Sequence, residues 1–294
     1  MFSIAEILGS SLEIAVADIG AMPEGVPRYE ALEACSRLTV VGFEPNDEAR
    51  QKLGQSAGRR YLPYVLGSGE PATLHITRYP GCTSLYPPNP AVIDLFETIG
   101  ADPEHGNFGV VDTVKVETRR LDDVFPLPVC PYLKLDVQGA ELDVLRHGQH
   151  LLRTALVIES EVAFVEIYAG QPLFGDLQTF LRDRGFVLHK MFEIAGRTFR
   201  PVRHGANPFA PLSQMLWADA VFVRDFSRLD RFVDSELLCA AAILHECYRS
   251  YDLAHRLLAE HDRRRRTGFA TTYGKRLTEM PSLDTFYLTQ RLQP

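Results

Sequence analysis

Along most of the chain, short apolar runs that close on a glycine or a polar residue alternate with stretches of helical spacing. The first run, Ile14-Ala15-Val16-Ala17-Asp18-Ile19-Gly20, stops at a glycine, as a buried parallel strand does on meeting its turn. A helix-compatible segment at 28–36 follows, then Leu38-Thr39-Val40-Val41-Gly42-Phe43-Glu44, an apolar run that ends in a carboxylate. Pro45 breaks the chain, Asn46 and Asp47 can cap, and 47–53 reads as a helix start. Further strands are predicted at 61–66, 132–137, 156–160, 186–191 and 219–223, and helices at 140–152 and 174–184. Two β-type segments, 73–78 and 113–118, bracket a Pro- and Gly-rich insertion at about 79–112.

Strands alternating with helices at this spacing predict an α/β fold, a doubly wound and mostly parallel sheet with helices on both faces. Such sheets bind ligands at the carboxyl ends of their strands, near the reversal of strand order. That singles out Asp18, Glu44 and Asp136, which end three of the predicted strands. From about Ser235 the rhythm changes: 237–244 and 252–260 read as amphipathic helices with no strand between them. Cys239, Ala242, Ile243 and Cys247 fall at helical spacing, giving a face that packs on the sheet domain or on a second copy in a homodimer. The arginine run at 263–266 reads as a solvated face.

Composition narrows the class of partner. The 294 residues carry a net charge of −7, which gives no support to a nucleic-acid backbone as partner. The five cysteines (Cys35, Cys82, Cys130, Cys239, Cys247) form no CxxC and no Cys/His cluster, so neither a disulfide framework nor a zinc site is expected. The first twenty residues lack a basic region before an apolar run, and no long uninterrupted apolar stretch occurs. These features predict neither a signal peptide nor a membrane span, and a cytoplasmic protein.

Three places concentrate candidate chemistry. At Asp18-Ile19-Gly20-Ala21 the glycine permits a tight turn and close approach to a ligand, or simply ends a strand. No GxGxxG is present, which argues against a nicotinamide or flavin enzyme. Glu44, 26 positions after Asp18, can accept from both hydroxyls of a ribose or can cap the helix after Pro45. The densest stretch is YLKLDVQGAE, residues 132–141. Lys134 and Asp136 are two apart and share a strand face, as a catalytic pair or a structural one. Glu141 falls in the first turn of the next helix, where it also complements the helix dipole. Glu159 and Glu161 share a face of the following strand. A site bounded by Asp136, Glu141, Glu159 and Glu161 would be strongly acidic, suited to a cationic cofactor and to a carboxylate acting as general base. The carboxylates are plentiful enough to leave a divalent metal open, but no ligand motif with metal spacing accompanies them, and no metal ligand is assigned.

The segments DIGA, VGFEPN, TSLYPPN, LDDVF, LKLDVQGAELDVLRHG and IESEVAFVEIYAGQPLFGDLQTFLRDRGFVL, in this order over about 14–192, together resemble the FkbM-type S-adenosylmethionine-dependent methyltransferases. The resemblance implies the class I methyltransferase fold, a seven-stranded sheet whose last strand is antiparallel. It implies S-adenosylmethionine as cofactor and methyl transfer to an oxygen of a sugar, glycan or other small natural product. Carried over by position, Asp18, Gly20 and Ala21 form the first cofactor loop, and Glu44 with Pro45 holds the ribose. Leu66, Gly67 and Ser68 lie by the adenine, and Asp136 faces the methionyl end. Asp136, Glu141 and Lys134 are then the catalytic candidates. Thr83, Ser84 and Tyr86 of the insertion join Glu159 and Glu161 as acceptor-binding candidates.

The chain departs from the family pattern at three positions: Met22-Pro23-Glu24-Gly25 lengthens the first loop, Gln138 replaces a frequent acidic residue, and Leu66-Gly67-Ser68-Gly69 replaces the usual acid after strand three. The organisation expected is a methyltransferase domain over 1–230 and a helical extension over 231–294. The competing reading is a catalytically inactive binding or assembly module on the same fold, which the altered first loop and the helical tail favour.

Overall fold

The apolar runs become the strands of one central sheet. The computed structural model describes residues 2–9, 12–203 and 205–280. Its strands are β1 (Leu12–Ile19), β2 (Ser36–Phe43), β3 (Arg59–Leu62), β4 (Val65–Leu66), β5 (Pro71–Thr77), β6 (Val110–Arg119), β7 (Tyr132–Leu135), β8 (Val157–Ala163), β9 (Phe186–Gly196) and β10 (Met215–Arg224). Its helices are α1 (Ala5–Leu8), α2 (Asp47–Leu53), α3 (Pro90–Ile93), α4 (Glu141–Arg146), α5 (Gln149–Thr154), α6 (Phe174–Arg182), α7 (Asp234–Glu246), α8 (Tyr251–Arg265) and α9 (Phe269–Thr278).

Seven strands pair in the order β3-β2-β1-β7-β8-β10-β9. β1 is parallel to β7, β7 to β8 and β2 to β3, whereas β10 runs antiparallel to both β8 and β9. This is the class I methyltransferase architecture. Strand order reverses between β1 and β7, so their carboxyl ends open the crevice where such sheets bind ligands. Ile19, Phe43, Leu133, Leu135, Ile158 and Phe222 of the sheet pack with Leu142, Leu145, Leu152, Leu177 and Leu181 of the helices in one buried core. A second sheet, β4-β6-β5, holds the two β-type segments that bracket the insertion, with β5 antiparallel to β6.

By its contacts the chain forms two units, one of residues 15–25 and 39–227, the other of 1–14, 26–38 and 228 onward. In the second unit Arg264 donates to the carbonyls of Leu229 and Phe232 and pairs with Glu260 and Asp234. The arginine run is therefore in part a clamp rather than a wholly solvated face. Residues 281–294 of the expected extension lie outside the described residues. Among the described residues no helix is long and apolar enough to cross a membrane.

Of the elements that differ from expectation, four bear on the packing, and three of these have a visible cause. The predicted strand 61–66 is two strands, because Pro63 has no N–H to continue a ladder; β3 stays in the main sheet and β4 pairs with β6. The segment at 28–36 is a 3₁₀ turn over Arg28–Ala34, for which the sequence offers no clear reason. The predicted helix 140–152 breaks at Gly148, where a Cβ would lie 2.8 Å from Leu121 Cδ2. Asp122 then starts α5 afresh, its carboxylate accepting the N–H groups of Gln149 and His150 at 2.9 and 2.8 Å. Helix α9 was not expected, since FATTYGKRLT is rich in weak helix formers. Its start is fixed from α8, where Asp262 accepts the N–H groups of Phe269 and Ala270 at 2.9 and 2.8 Å.

Gly148 has a negative φ of −125°, so only space, not backbone conformation, forbids a side chain there. Gly148→Ala should cost about 1–3 kcal/mol through overpacking against Leu121. Adding Leu121→Val should recover part of that loss, a coupling that thermal melts of the two single variants and the double variant will measure.

Candidate active site

The site is built first by the ends of β1 and β7. Asp18 is the last polar residue of β1 and is buried. Lys134 of β7 sits 3.3 Å from Asp18 Oδ1, 3.7 Å from Asp136 Oδ2, and donates to the Gly20 carbonyl at 3.2 Å. One ammonium thus ties the first loop to the β7 loop. Gly20 has φ +82°, and a Cβ there would meet the Asp136 carbonyl oxygen at 1.8 Å, so the glycine is demanded by the packing of the two loops. The N–H groups of Gly20 and Ala21 both donate to the Phe43 carbonyl at 3.1 Å. The first loop is therefore anchored on β2.

Glu44 follows β2 and is 4 % exposed. Its Oε1 accepts the Asn46 N–H at 2.7 Å, with Pro45 holding the turn between them, and no hydrogen bond reaches Oε2 among the described residues. Asn46 caps α2 through Ala49 N–H at 2.9 Å, so Glu44 itself is not the cap. Leu66 and Gly67 are buried at the start of the second sheet, where Gly67 N–H donates to the Arg119 carbonyl at 3.0 Å. Ser68 is exposed and its hydroxyl accepts the Glu70 N–H at 3.3 Å.

Beyond β7 the chain turns sharply at Gln138, φ +55°, and Gly139, φ +101°. Glu141 reaches back into this turn, Oε1 accepting Val137 N–H at 2.8 Å and Oε2 accepting Gly139 N–H at 3.0 Å. Its carboxylate shapes the loop. Asp136 is freer, with a side chain 39 % exposed. Oxygens of Asp136, Glu141 and Glu161 lie within 4.8 Å of one another. Glu159 is separate: it is buried and accepts the Tyr132 hydroxyl at 3.0 Å. Of the four predicted carboxylates, three converge and one supports the strand.

The insertion residues are held by the protein. Thr83 Oγ1 accepts the Thr77 N–H at 3.3 Å, Ser84 donates to the Gln138 carbonyl at 2.5 Å, and Tyr86 donates to Asp143 Oδ2 at 2.6 Å. In the lengthened first loop Glu24 accepts the Tyr79 hydroxyl at 2.6 Å. Sequence reading missed Tyr168, Asp143 and the bridging role of Gln138. Only the polar residue before Gly139 hinted at the last; Tyr168 and Asp143 reach the site by tertiary contact.

The family model for the methyltransferase FkbM domain matches residues 18–188, more than half of the chain. This chain belongs to the FkbM methyltransferase family. No curated protein sequence matches it. Among solved structures it is similar to a magnesium protoporphyrin IX methyltransferase from Synechocystis PCC 6803 with bound SAM, at 12% identity over 76% of each chain and a TM-score of 0.38. A putative tRNA (m1A22) methyltransferase from Streptococcus pneumoniae gives 10% identity over 95% of this chain and 99% of that one, with a TM-score of 0.35. The assignment rests on the family match and the strand order, not on these distant likenesses.

In this FkbM methyltransferase the acidic corner is short of positive charge. Burial pushes the Glu141 carboxyl up to about 7 although backbone N–H groups favour its charged form. Burial, then Asp136, Glu141 and Asp219, hold Glu161 well above the usual carboxylate range. Burial also raises Glu44, against the Asn46 N–H and Arg50. For Lys134 burial works against the charge, and Asp18 and Asp136 outweigh it, so the ammonium titrates above its ordinary range. The spacing of the corner would admit a small cation. Glu141, however, uses both oxygens on backbone N–H groups and the Gln138 amide lies between the other two, the pattern of a hydrogen-bonded carboxylate corner.

Glu141 carries a stability consequence. A carboxyl whose folded value exceeds its unfolded one adds stability below the unfolded value and loses it as pH rises through the folded one. The Glu141 contribution should therefore fade between the ordinary glutamate value of 4.5 and about 7. Glu141→Gln should lose ground to the parent at low pH and gain on it above neutrality, as paired melting curves across this range will show.

Proposed function

We propose that the protein transfers a methyl group from S-adenosylmethionine to a hydroxyl oxygen of a small-molecule or glycan acceptor, with Asp136 as the general base. Family membership supplies the reaction class and the cofactor; the oxygen acceptor and the residue roles are our reading. The observation that carries it is the placement of Asp136 at the reversal of strand order, partly exposed and flanked by Lys134, while Glu141 is engaged by its own loop.

The residues fit this cofactor. Glu44 is a buried carboxylate with one oxygen taken by Asn46 and the other available, as binding to a ribose diol requires. Leu66 and Gly67 offer an apolar edge for an adenine beside exposed Ser68. The acidic corner suits a sulfonium cation. When bound, the cofactor supplies a methyl group on positively charged sulfur. An alcohol is a weak nucleophile at neutral pH, so Asp136 accepts its proton while Lys134, fixed by Asp18 and Gly20, keeps the carboxylate in place. Glu161 and the ring of Tyr86 are the acceptor contacts in this reading. Thr83 and Ser84 hold the insertion, and Glu159 holds β7.

One observation favours a non-catalytic module: the Gly20 and Ala21 N–H groups are committed to Phe43 and so do not face a ligand. Calorimetry separates the readings. Micromolar binding of S-adenosylmethionine, with Glu44→Ala weakening it by about 1.5–3 kcal/mol, supports the enzyme. No binding at millimolar cofactor supports the module. Unchanged affinity in the variant removes the ribose assignment. A screen of hydroxylated sugars and natural products for methyl incorporation then tests the acceptor class.

A further inference from the structure

Gln138 occupies a backbone conformation that disfavours any residue but glycine, with φ +55°, and it is the hub of the polar contacts at the site. Its Nε2 donates to Asp136 Oδ1 and to Glu161 Oε2, both at 2.9 Å. Its Oε1 accepts the Tyr168 hydroxyl at 2.8 Å, and its backbone carbonyl accepts Ser84 at 2.5 Å. Two carboxylate oxygens at that distance require a donor, which fixes the nitrogen toward them and the carbonyl oxygen toward Tyr168. Glutamate at this position would present a third carboxylate instead.

We propose that Gln138 is a positioning residue of the methyl-transfer site: its amide aims Asp136 and stabilises its charged form by bridging it to Glu161, in an orientation that Tyr168 locks. The proposal rests on the reading of Asp136 as the base beside the cofactor's sulfonium. The charged and titratable groups acting on this pair come from every neighbouring element. Lys134 on β7 and Asp18 on β1 lie on one side, and Glu141 on α4 on another. Glu159 on β8, Asp219 on β10, Tyr79 and Cys82 of the insertion, and Tyr168 complete the surroundings. Lys134 is the one cation among them, so the amide is the second source of positive potential for two facing carboxylates. Removing its N–H groups leaves the two carboxylates opposed, and a proton settles between them at higher pH.

Gln138→Met keeps the length and lacks both donors, while Tyr168→Phe keeps the amide and frees its orientation. Carbon-13 titration of the Asp136 side-chain carboxyl in the cofactor-free protein should show its midpoint raised by about one pH unit in Gln138→Met and moved less, in the same direction, in Tyr168→Phe. Calorimetry then gives the consequence for ligand. Below the measured Asp136 midpoint S-adenosylmethionine should bind Gln138→Met more weakly than the parent, by up to about tenfold, and the two should converge well above it. S-adenosylhomocysteine, which lacks the sulfonium charge, should respond less. An Asp136 midpoint unmoved in both variants overturns the proposal and leaves Gln138 a loop tether. A moved midpoint with no cofactor binding by the parent instead retains the role of Gln138 and rejects the methyltransferase reading. If Gln138→Met does not fold, Tyr168→Phe carries the same titration test.

Discussion

The site depends on one half-buried ammonium. Lys134 satisfies Asp18, Asp136 and the Gly20 carbonyl at once, and these belong to the two strands between which the sheet reverses direction. A charge partly withdrawn from water needs partners that outweigh the loss, and here three oxygens from β1 and the loops after β1 and β7 supply them. Gly20 completes the junction from the other side, because the Asp136 carbonyl oxygen occupies the space of a side chain. The loops that follow β1 and β7 are therefore one packed assembly.

Around that assembly the carboxylates divide by environment. Burial raises the carboxyls of Glu141 and Glu161 above the ordinary range, Glu159 is held by Tyr132, and Asp136 keeps partial access to solvent. Identical functional groups thus acquire different tasks from hydrogen bonds and burial alone.

Much of this was legible in the chain. The apolar runs ending at Asp18, Glu44 and Asp136 place those three at the carboxyl ends of their strands without knowledge of strand order. The two-residue spacing of Lys134 and Asp136 puts them on one face, and the structure has them 3.7 Å apart. What periodicity cannot reveal is which partner a polar group will choose. Ser68, Thr83 and Ser84 looked free and are each engaged, and Gly20 and Ala21 offer their N–H groups to Phe43 rather than outward. The breaks at Pro63 and Gly148 differ in the same way. Pro63 acts locally and could be read from its chemistry, whereas Gly148 answers to Leu121, which only the fold brings near.

The order of strands also bears on how the chain acquires its shape. Gly20 and Lys134, which meet at the junction, are 114 positions apart. Synthesis from the amino end delivers β1 long before β7, so the ion pair of Asp18 with Lys134 can form only once β7 is present. Joining the centre of the sheet therefore requires a loop closure that spans more than a third of the polypeptide, an entropic cost that local pairing does not carry.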